Sequence, residues 1–239
     1  DGDVQSADDG TDVVLSSDSD TDGNVADGNT NQDLTNTTTI PGNDKYEFKE
    51  DSANKTISVN VQDNKTHNNI DVNKNELSVM NGNKNISFEY NATIIKITET
   101  LPVGNYNLTI KYLGNAQYNT SQAIVAVKIF GNKTIETETS VVCNGKDIEV
   151  PVKVFDQVEY IELVKDNFNL TLVYTNETGN VTNLTISAFD LEKKDENNSY
   201  AIKFATNVKL ISASLIINYA NATEPKTVGI KVSTEVKAE

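Results

Sequence analysis

The residues with the clearest chemical meaning in this chain are asparagines. Fourteen of them, Asn36, Asn54, Asn64, Asn85, Asn91, Asn107, Asn119, Asn132, Asn169, Asn176, Asn180, Asn183, Asn197 and Asn221, stand in Asn-x-Ser/Thr with x other than proline. That is the acceptor pattern for N-linked glycosylation, and it points to a secreted chain with covalently attached glycans. The sequence holds 32 Asn and 41 Ser plus Thr among 239 residues, from which random placement gives roughly five or six such triplets. The observed number is over twice that. A strand with a polar face also places Asn and Thr at i and i+2 without any glycan, so part of the excess has a purely structural source.

Other reactive groups are sparse. Asp18, Asp20, Asp22 and Gly23 form D-x-D-x-D-G, followed by Asp27. Hard carboxylate oxygens at alternate positions ahead of a turn can wrap one Ca²⁺, the only cofactor the sequence suggests. The twelfth position of that loop is Asn29 rather than a bidentate acid, and a solvated acidic linker is the competing reading. The single histidine, His67, lies in a polar, turn-like stretch and reads as a solvated loop residue. The single cysteine, Cys143, excludes an intrachain disulfide and reads as a small buried apolar group. No nucleophile elbow, P-loop, dinucleotide fingerprint or zinc cluster is present, so the expectation is not an enzyme and no catalytic residues. An intramolecular Lys-Asn isopeptide bond is chemically available, but no spacing selects a pair.

The net charge of −15 is uneven. Residues 1–40 hold ten Asp and no Lys or Glu, which makes the acidity a property of the N-terminal segment. With no Arg anywhere and no basic patch, neither nucleic acid nor an anionic lipid surface is expected as a partner. No apolar stretch reaches a membrane span and no signal peptide is visible. The chain starts at Asp1 and reads as a mature chain after removal of a targeting segment, or as a piece of a larger surface protein.

The elements that must position the asparagines are strands. From Tyr46 onward short alternating runs are separated by Asn and Gly, as in Tyr106, Leu108, Ile110 and Tyr112. Similar runs are Ile86-Phe88-Tyr90, Phe168 to Tyr174 and Leu184 to Ala188, with further strands expected at 55–61, 92–98, 122–130, 134–142, 147–154, 158–164, 199–205, 208–219 and 227–234. No helical period appears. The expected fold is all-β: two tandem Ig-like antiparallel β-sandwiches over 45–131 and 132–239, preceded by an acidic low-complexity tail over 1–44. Short similar segments, 110–116 and 217–222, hint at a decayed tandem repeat.

The stretch Leu101-Pro-Val-Gly-Asn-Tyr-Asn-Leu-Thr-Ile-Lys-Tyr-Leu-Gly-Asn-Ala-Gln-Tyr118 resembles the closing strands of Ig-like repeats in adhesin-like cell-surface proteins, especially those of methanogenic archaea. The matching positions are Leu101, Pro102, Gly104, Tyr106, Leu108, Ile110, Tyr112, Gly114, Asn115 and Tyr118. Pro102 and Gly104 supply a turn, Tyr106 occupies the place of a tyrosine corner, and Gly114-Asn115 permit a positive φ. Residues 132–239 match the pattern poorly. The resemblance implies an extracellular, non-catalytic module, a structural spacer or cell-contact element.

On the alternating strands, Asn85, Asn107, Asn169 and Asn183 are expected to face solvent with the central residue of each triplet inward. Glycans there would bar sheet faces from packing, leaving edges and ends for other copies of the chain or other cell-surface components. Val208 to Tyr219 is apolar on both faces through Leu210, Ile211, Leu215, Ile216 and Ile217. Such a strand is either central in its sheet or an edge that pairs with a neighbouring subunit. The alternatives to a spacer are therefore a filament or sheath subunit joined by strand donation, with Val13, Val14 and Leu15 or the terminal run from Val228 as donor, and a carbohydrate-binding module. The absence of Trp weighs against the last.

Overall fold

The computed structural model describes residues 33–232. Asp18, Asp20, Asp22 and Asp27, with Val13 to Leu15, lie outside them. Of the described residues, 34–232 belong to one compact unit.

Nine strands come before Gly131: β1 (Thr37–Pro41), β2 (Lys45–Lys49), β3 (Thr56–Asp63), β4 (Leu77–Asn81), β5 (Lys84–Asn85), β6 (Phe88–Asn91), β7 (Ile94–Ile97), β8 (Gly104–Tyr112) and β9 (Ser121–Phe130). Nine follow: β10 (Thr134–Thr137), β11 (Ser140–Cys143), β12 (Asp147–Phe155), β13 (Phe168–Thr175), β14 (Val181–Ile186), β15 (Asp190–Lys193), β16 (Tyr200–Ala205), β17 (Ser212–Tyr219) and β18 (Lys226–Val232). The only helical elements among the described residues are 3-10 turns at Lys74–Glu76 and Lys165–Asn167.

The two sets have one topology. The first pairs as β1-β3-β7-β6 and β2-β9-β8-β4-β5; the second as β10-β12-β16-β15 and β11-β18-β17-β13-β14. In each, the second strand runs parallel to the last, and other neighbours are antiparallel. Four strands facing five in this order make an immunoglobulin-like sandwich, twice over. The repeat glimpsed at 110–116 and 217–222 has a structural counterpart: Tyr112 pairs with Leu77 and Tyr219 with Phe168, each just after a 3-10 turn.

Alternation drives the burial. Leu108 and Ile110 on β8, Val125, Val127 and Ile129 on β9, and Ile57 on β3 are essentially inaccessible and form the first core. Val150, Val154, Leu170, Leu172, Leu215 and Ile217 do the same in the second. Each such side chain contributes about 1.5–3 kcal/mol relative to exposure.

Several expectations need correction. The tail assigned to 1–44 extends too far: Thr37–Pro41 pairs with β3, and the Thr37 and Thr39 hydroxyls bond Ser121 at 2.8 Å. The strand expected at 134–142 is divided between the sheets, and of the run expected at Ile86-Phe88-Tyr90 only the part from Phe88 is a strand, preceded by a short strand of the other sheet. Lys84–Asn85 pairs with β4 while Phe88–Asn91 pairs with β7, and Thr134–Thr137 pairs with β12 while Ser140–Cys143 pairs with β18. Alternation alone cannot reveal such a change of partner, because the inward side is the same in both sheets. Segment 158–164 is not a strand. Asp156 Oδ1 accepts the Val158 and Glu159 N–H groups at 3.0 and 2.9 Å and Gln157 sits at φ 75°, which turns the chain away after β12.

Finally, Val208–Tyr219 offers no free edge to another subunit. Leu215, Ile216 and Ile217 lie in β17, which is hydrogen-bonded by β13 on one side and β18 on the other. Leu210 and Ile211 precede the strand. Only one face of this central strand is buried: Leu215 and Ile217 point into the core, while Ile216 is half-buried on the outer face and Ile211 is 61% exposed.

Candidate functional site

All fourteen acceptor asparagines fall within the described residues, and none is buried. Twelve are exposed, while Asn119 and Asn176 are half-buried. Five stand within strands: Asn85 on β5, Asn91 on β6, Asn107 on β8, Asn169 on β13 and Asn183 on β14. Asn85, Asn107, Asn169 and Asn183 belong to the five-stranded sheets. Of the strands in the four-stranded sheets, only β6 carries an acceptor.

The inward placement of the central residue holds at Ile86, Leu108 and Leu170, each buried. It does not hold at Leu184, which is 38% exposed. β14 is the last strand of its sheet, so nothing flanks it on the outer side. Several acceptors also hydrogen-bond within the fold, Asn119 and Asn176 most extensively. Asn119 Nδ2 donates to Asn36 Oδ1 at 2.8 Å and to the Leu34 carbonyl at 3.2 Å, tying the approach of β1 to the loop before β9. Asn176 Oδ1 accepts from the Thr178 and Asn180 backbone N–H groups and the Thr178 hydroxyl, ordering the β13–β14 turn and leaving its own amide nitrogen free of intramolecular partners.

The turn elements of the 101–118 stretch are built as its residues suggest. Tyr106 donates its hydroxyl to the Pro102 carbonyl at 2.6 Å, a tyrosine corner. Gly114 has φ 76°, and a Cβ there would stand 2.6 Å from the Tyr118 carbonyl oxygen, so only glycine fits. Asn115 Oδ1 accepts the Gln117 and Tyr118 N–H groups and completes the loop.

A second constellation escaped sequence reasoning. Residues 131–133 connect β9 to β10, and beside them Lys128 Nζ lies 2.5 Å from Asp156 Oδ2 and 2.7 Å from Glu159 Oε1. The Lys128 and Asp156 side chains are 10% and 2% exposed. Burial alone would raise the Asp156 carboxyl, but the Lys128 ammonium and the Glu159 and Val158 N–H groups outweigh it and hold the group below its ordinary value. Burial likewise depresses Lys128, yet its bonds to Asp156 and Glu159 prevail and push it up. Both groups are therefore charged, and the trio joins one sandwich to the other. Gly131 fits beneath it, donating its N–H to the Asp156 carbonyl at 3.0 Å, and a Cβ there would collide with the Gln157 amide. An adjacent cleft of about 440 Å³ is lined by Glu47, Lys133, Tyr160 and Asn198 among others. Lys128 occupies an outward position in an apolar run, which looks exposed until the second sandwich covers it.

His67 is exposed in a turn at φ 59°. Cys143 is 2% exposed, and burial followed by the Asp147 charge pushes its thiol up, away from the reactive thiolate. No group of three or more metal-ligating side chains occurs among the described residues.

No family model matches the chain, and no curated protein matches it. Several solved structures resemble it at low identity. Fibronectin(III)-like modules of CbhA from Clostridium thermocellum are 15% identical, with a TM-score of 0.35, over 84% of this chain and 97% of that one. A titin structure of three immunoglobulin domains, in an E-to-A mutated variant, is 9% identical with a TM-score of 0.31 over 82% of this chain, which in turn spans 66% of the titin chain. The adhesin InvE of Yersinia pseudotuberculosis is 12% identical with a TM-score of 0.28, over 81% of this chain and 58% of that one.

Proposed function

We propose that this chain is a non-enzymatic, N-glycosylated, extracellular surface module of the adhesin-like kind, in which tandem immunoglobulin-like sandwiches act as a stiff spacer or cell-contact element. One observation carries the reading: of fourteen acceptor asparagines, more than twice the random number, none is buried, while aliphatic residues beside them on the strands fill the cores. The acceptors in the five-stranded sheets would shield those faces with sugar. That leaves the four-stranded face of the second sandwich, whose strands hold no acceptor, and the ends of the unit for contact with other cell-surface components. The archaeal adhesin-like origin draws support from the 101–118 stretch, where the tyrosine corner and the Gly114 loop put its residues to structural use. The lysine-carboxylate trio at the junction suits a spacer, since it ties the sandwiches together by more than the connecting residues.

Intact mass and glycopeptide mapping of protein taken from its native envelope test the reading. Masses above 26.1 kDa in sugar-sized steps are expected, and a bare chain would refute it. Electron microscopy of the same material is expected to show dispersed two-lobed particles; a polymer with a regular axial rise would replace the spacer with a filament subunit.

A further inference from the structure

Two acceptors stand on central rather than edge strands, Asn107 on β8 and Asn169 on β13, and they share an arrangement that glycosylation itself does not require. In each, the threonine two residues on faces an isoleucine across the strand pair: Thr109 opposite Ile124 on β9, and Thr171 opposite Ile216 on β17. Asparagine and isoleucine are thereby diagonal neighbours on the outward face, about 7–8 Å apart at Cα with Cβ atoms somewhat closer. Ile124 is 63% exposed, the highest of the exposed large hydrophobic residues in the first sandwich. The residue directly opposite Asn107 is Ala126, which leaves room above the sheet, and Met80 stands on the far side of Thr109.

The two sandwiches supply an internal control. Superposed by register through Tyr112 and Tyr219, Asn107 corresponds to Ser214 and Ile124 to Thr227, so acceptor and aliphatic residue are lost together. In the other direction Asn169 corresponds to Ser78 and Ile216 to Thr109, and again both are replaced by small polar residues. Ile124 is exposed and Ile216 half-buried, and the apolar surface that each presents on a largely polar face gains nothing from water. A pyranose ring, by contrast, offers a C–H face and an N-acetyl methyl that can cover it.

We propose that Ile124 and Ile216 are landing surfaces for the first sugar of the glycans on Asn107 and Asn169, so that these two glycans pack as part of the sheet. The proposal rests on the glycosylated reading above. The other strand acceptors, on edge strands β5, β6 and β14, lack this cross-strand threonine-isoleucine pair.

The test is a double-mutant cycle in full-length protein from an N-glycosylating host, with occupancy of Asn107 measured by mass. Ile124→Thr in the glycosylated chain is expected to lower the thermal midpoint of the first sandwich by about 2–4 °C more than it does in an Asn107→Gln background. Because Ile124 is exposed, all variants should fold. Equal effects in the two backgrounds, with Asn107 occupied, would overturn the proposal while leaving the glycoprotein reading intact. The Ile216→Thr and Asn169→Gln pair repeats the measurement in the second sandwich and is expected to couple in the same direction. Unmodified Asn107 and Asn169 would instead refute the glycan reading at these sites and the proposal with it.

Discussion

In the first sandwich Tyr106 closes its corner on Pro102, and Tyr112, fully buried, has a hydroxyl with no partner. In the second the corresponding residues are Ala213 and Tyr219. There is no tyrosine corner at Ala213, and the Tyr219 hydroxyl is used, accepting the Val164 N–H at 3.2 Å and approached by Asn167 Nδ2 at 3.4 Å. The aromatic packing differs too: Phe168 meets Tyr219 edge-on at 4.7 Å, where the first sandwich has Leu77. Same strand order and register, different polar locks. The shared specification is the alternation of aliphatic residues, Leu108 and Ile110 against Leu215 and Ile217; the tyrosine bonds are local reinforcements that each copy has settled separately.

The largest effects should show the cores to be equivalent. Leu108→Ala and Leu215→Ala each remove a fully buried side chain at matching positions, and each should cost about 2–5 kcal/mol. Hydrogen exchange read by peptide would report loss of protection confined to the mutated sandwich, and loss spread evenly over both would mean that the pair folds as one unit.

Next is the junction. Lys128→Met strands the buried Asp156 carboxylate and should cost about 3 kcal/mol in denaturant unfolding, with widened inter-sandwich distances by spin-label or fluorescence measurement. Its pH response follows from the two shifts. Asp156 is lowered from 3.8, so its contribution is complete above that value and is lost only as pH falls through the lower folded one. Lys128 is raised from 10.5, so its contribution is complete below that value and disappears as pH rises through the higher folded one. Inter-sandwich distances should therefore stay constant between about pH 5 and 10; opening at pH 6 would contradict the assignment.

The tyrosines give a smaller, opposed pair. Tyr219→Phe leaves the Val164 N–H without its acceptor and should cost about 1 kcal/mol, whereas Tyr112→Phe removes an unpartnered hydroxyl and should be neutral or stabilising. Equal losses would mean that the Tyr112 hydroxyl has a water partner. Smallest in energy, though sharp in outcome, is Asn119. Sugar on its Nδ2 displaces an amide hydrogen now bonded to Asn36 or Leu34, so site-resolved mapping should find Asn119 the least occupied of the fourteen.

Much of this was legible in the residues. Inward alternation at Tyr106 to Tyr112 gave a strand, a face and a tyrosine corner, because a period-2 pattern and a Pro-x-Gly-x-Tyr turn are both local. Partner choice is not local. Residues 84–91 and 134–143 each pass from one sheet to the other with little break in the pattern, and Thr37–Pro41, polar and short, reads as tail until Ser121 and β3 are seen to hold it. The junction trio was invisible for the same reason: Lys128 and Asp156 lie on different sandwiches, and only assembly turns an apparently solvated lysine into a buried one. The acceptors were legible as a set, and their distribution over the two kinds of sheet became readable only with the strand order.

The junction lysine has one more consequence. Where acidic side chains from adjoining modules face one another, the positive charge between them can be borrowed from the surroundings as a dissolved ion, and stiffness then varies with the local supply. Here both carboxylates belong to the second sandwich, and the positive charge comes from the first, tethered to the chain by four methylenes. Chelators and calcium-poor water should leave the join between the two sandwiches as firm as before, so its rigidity would be inherited with the sequence rather than granted by the medium.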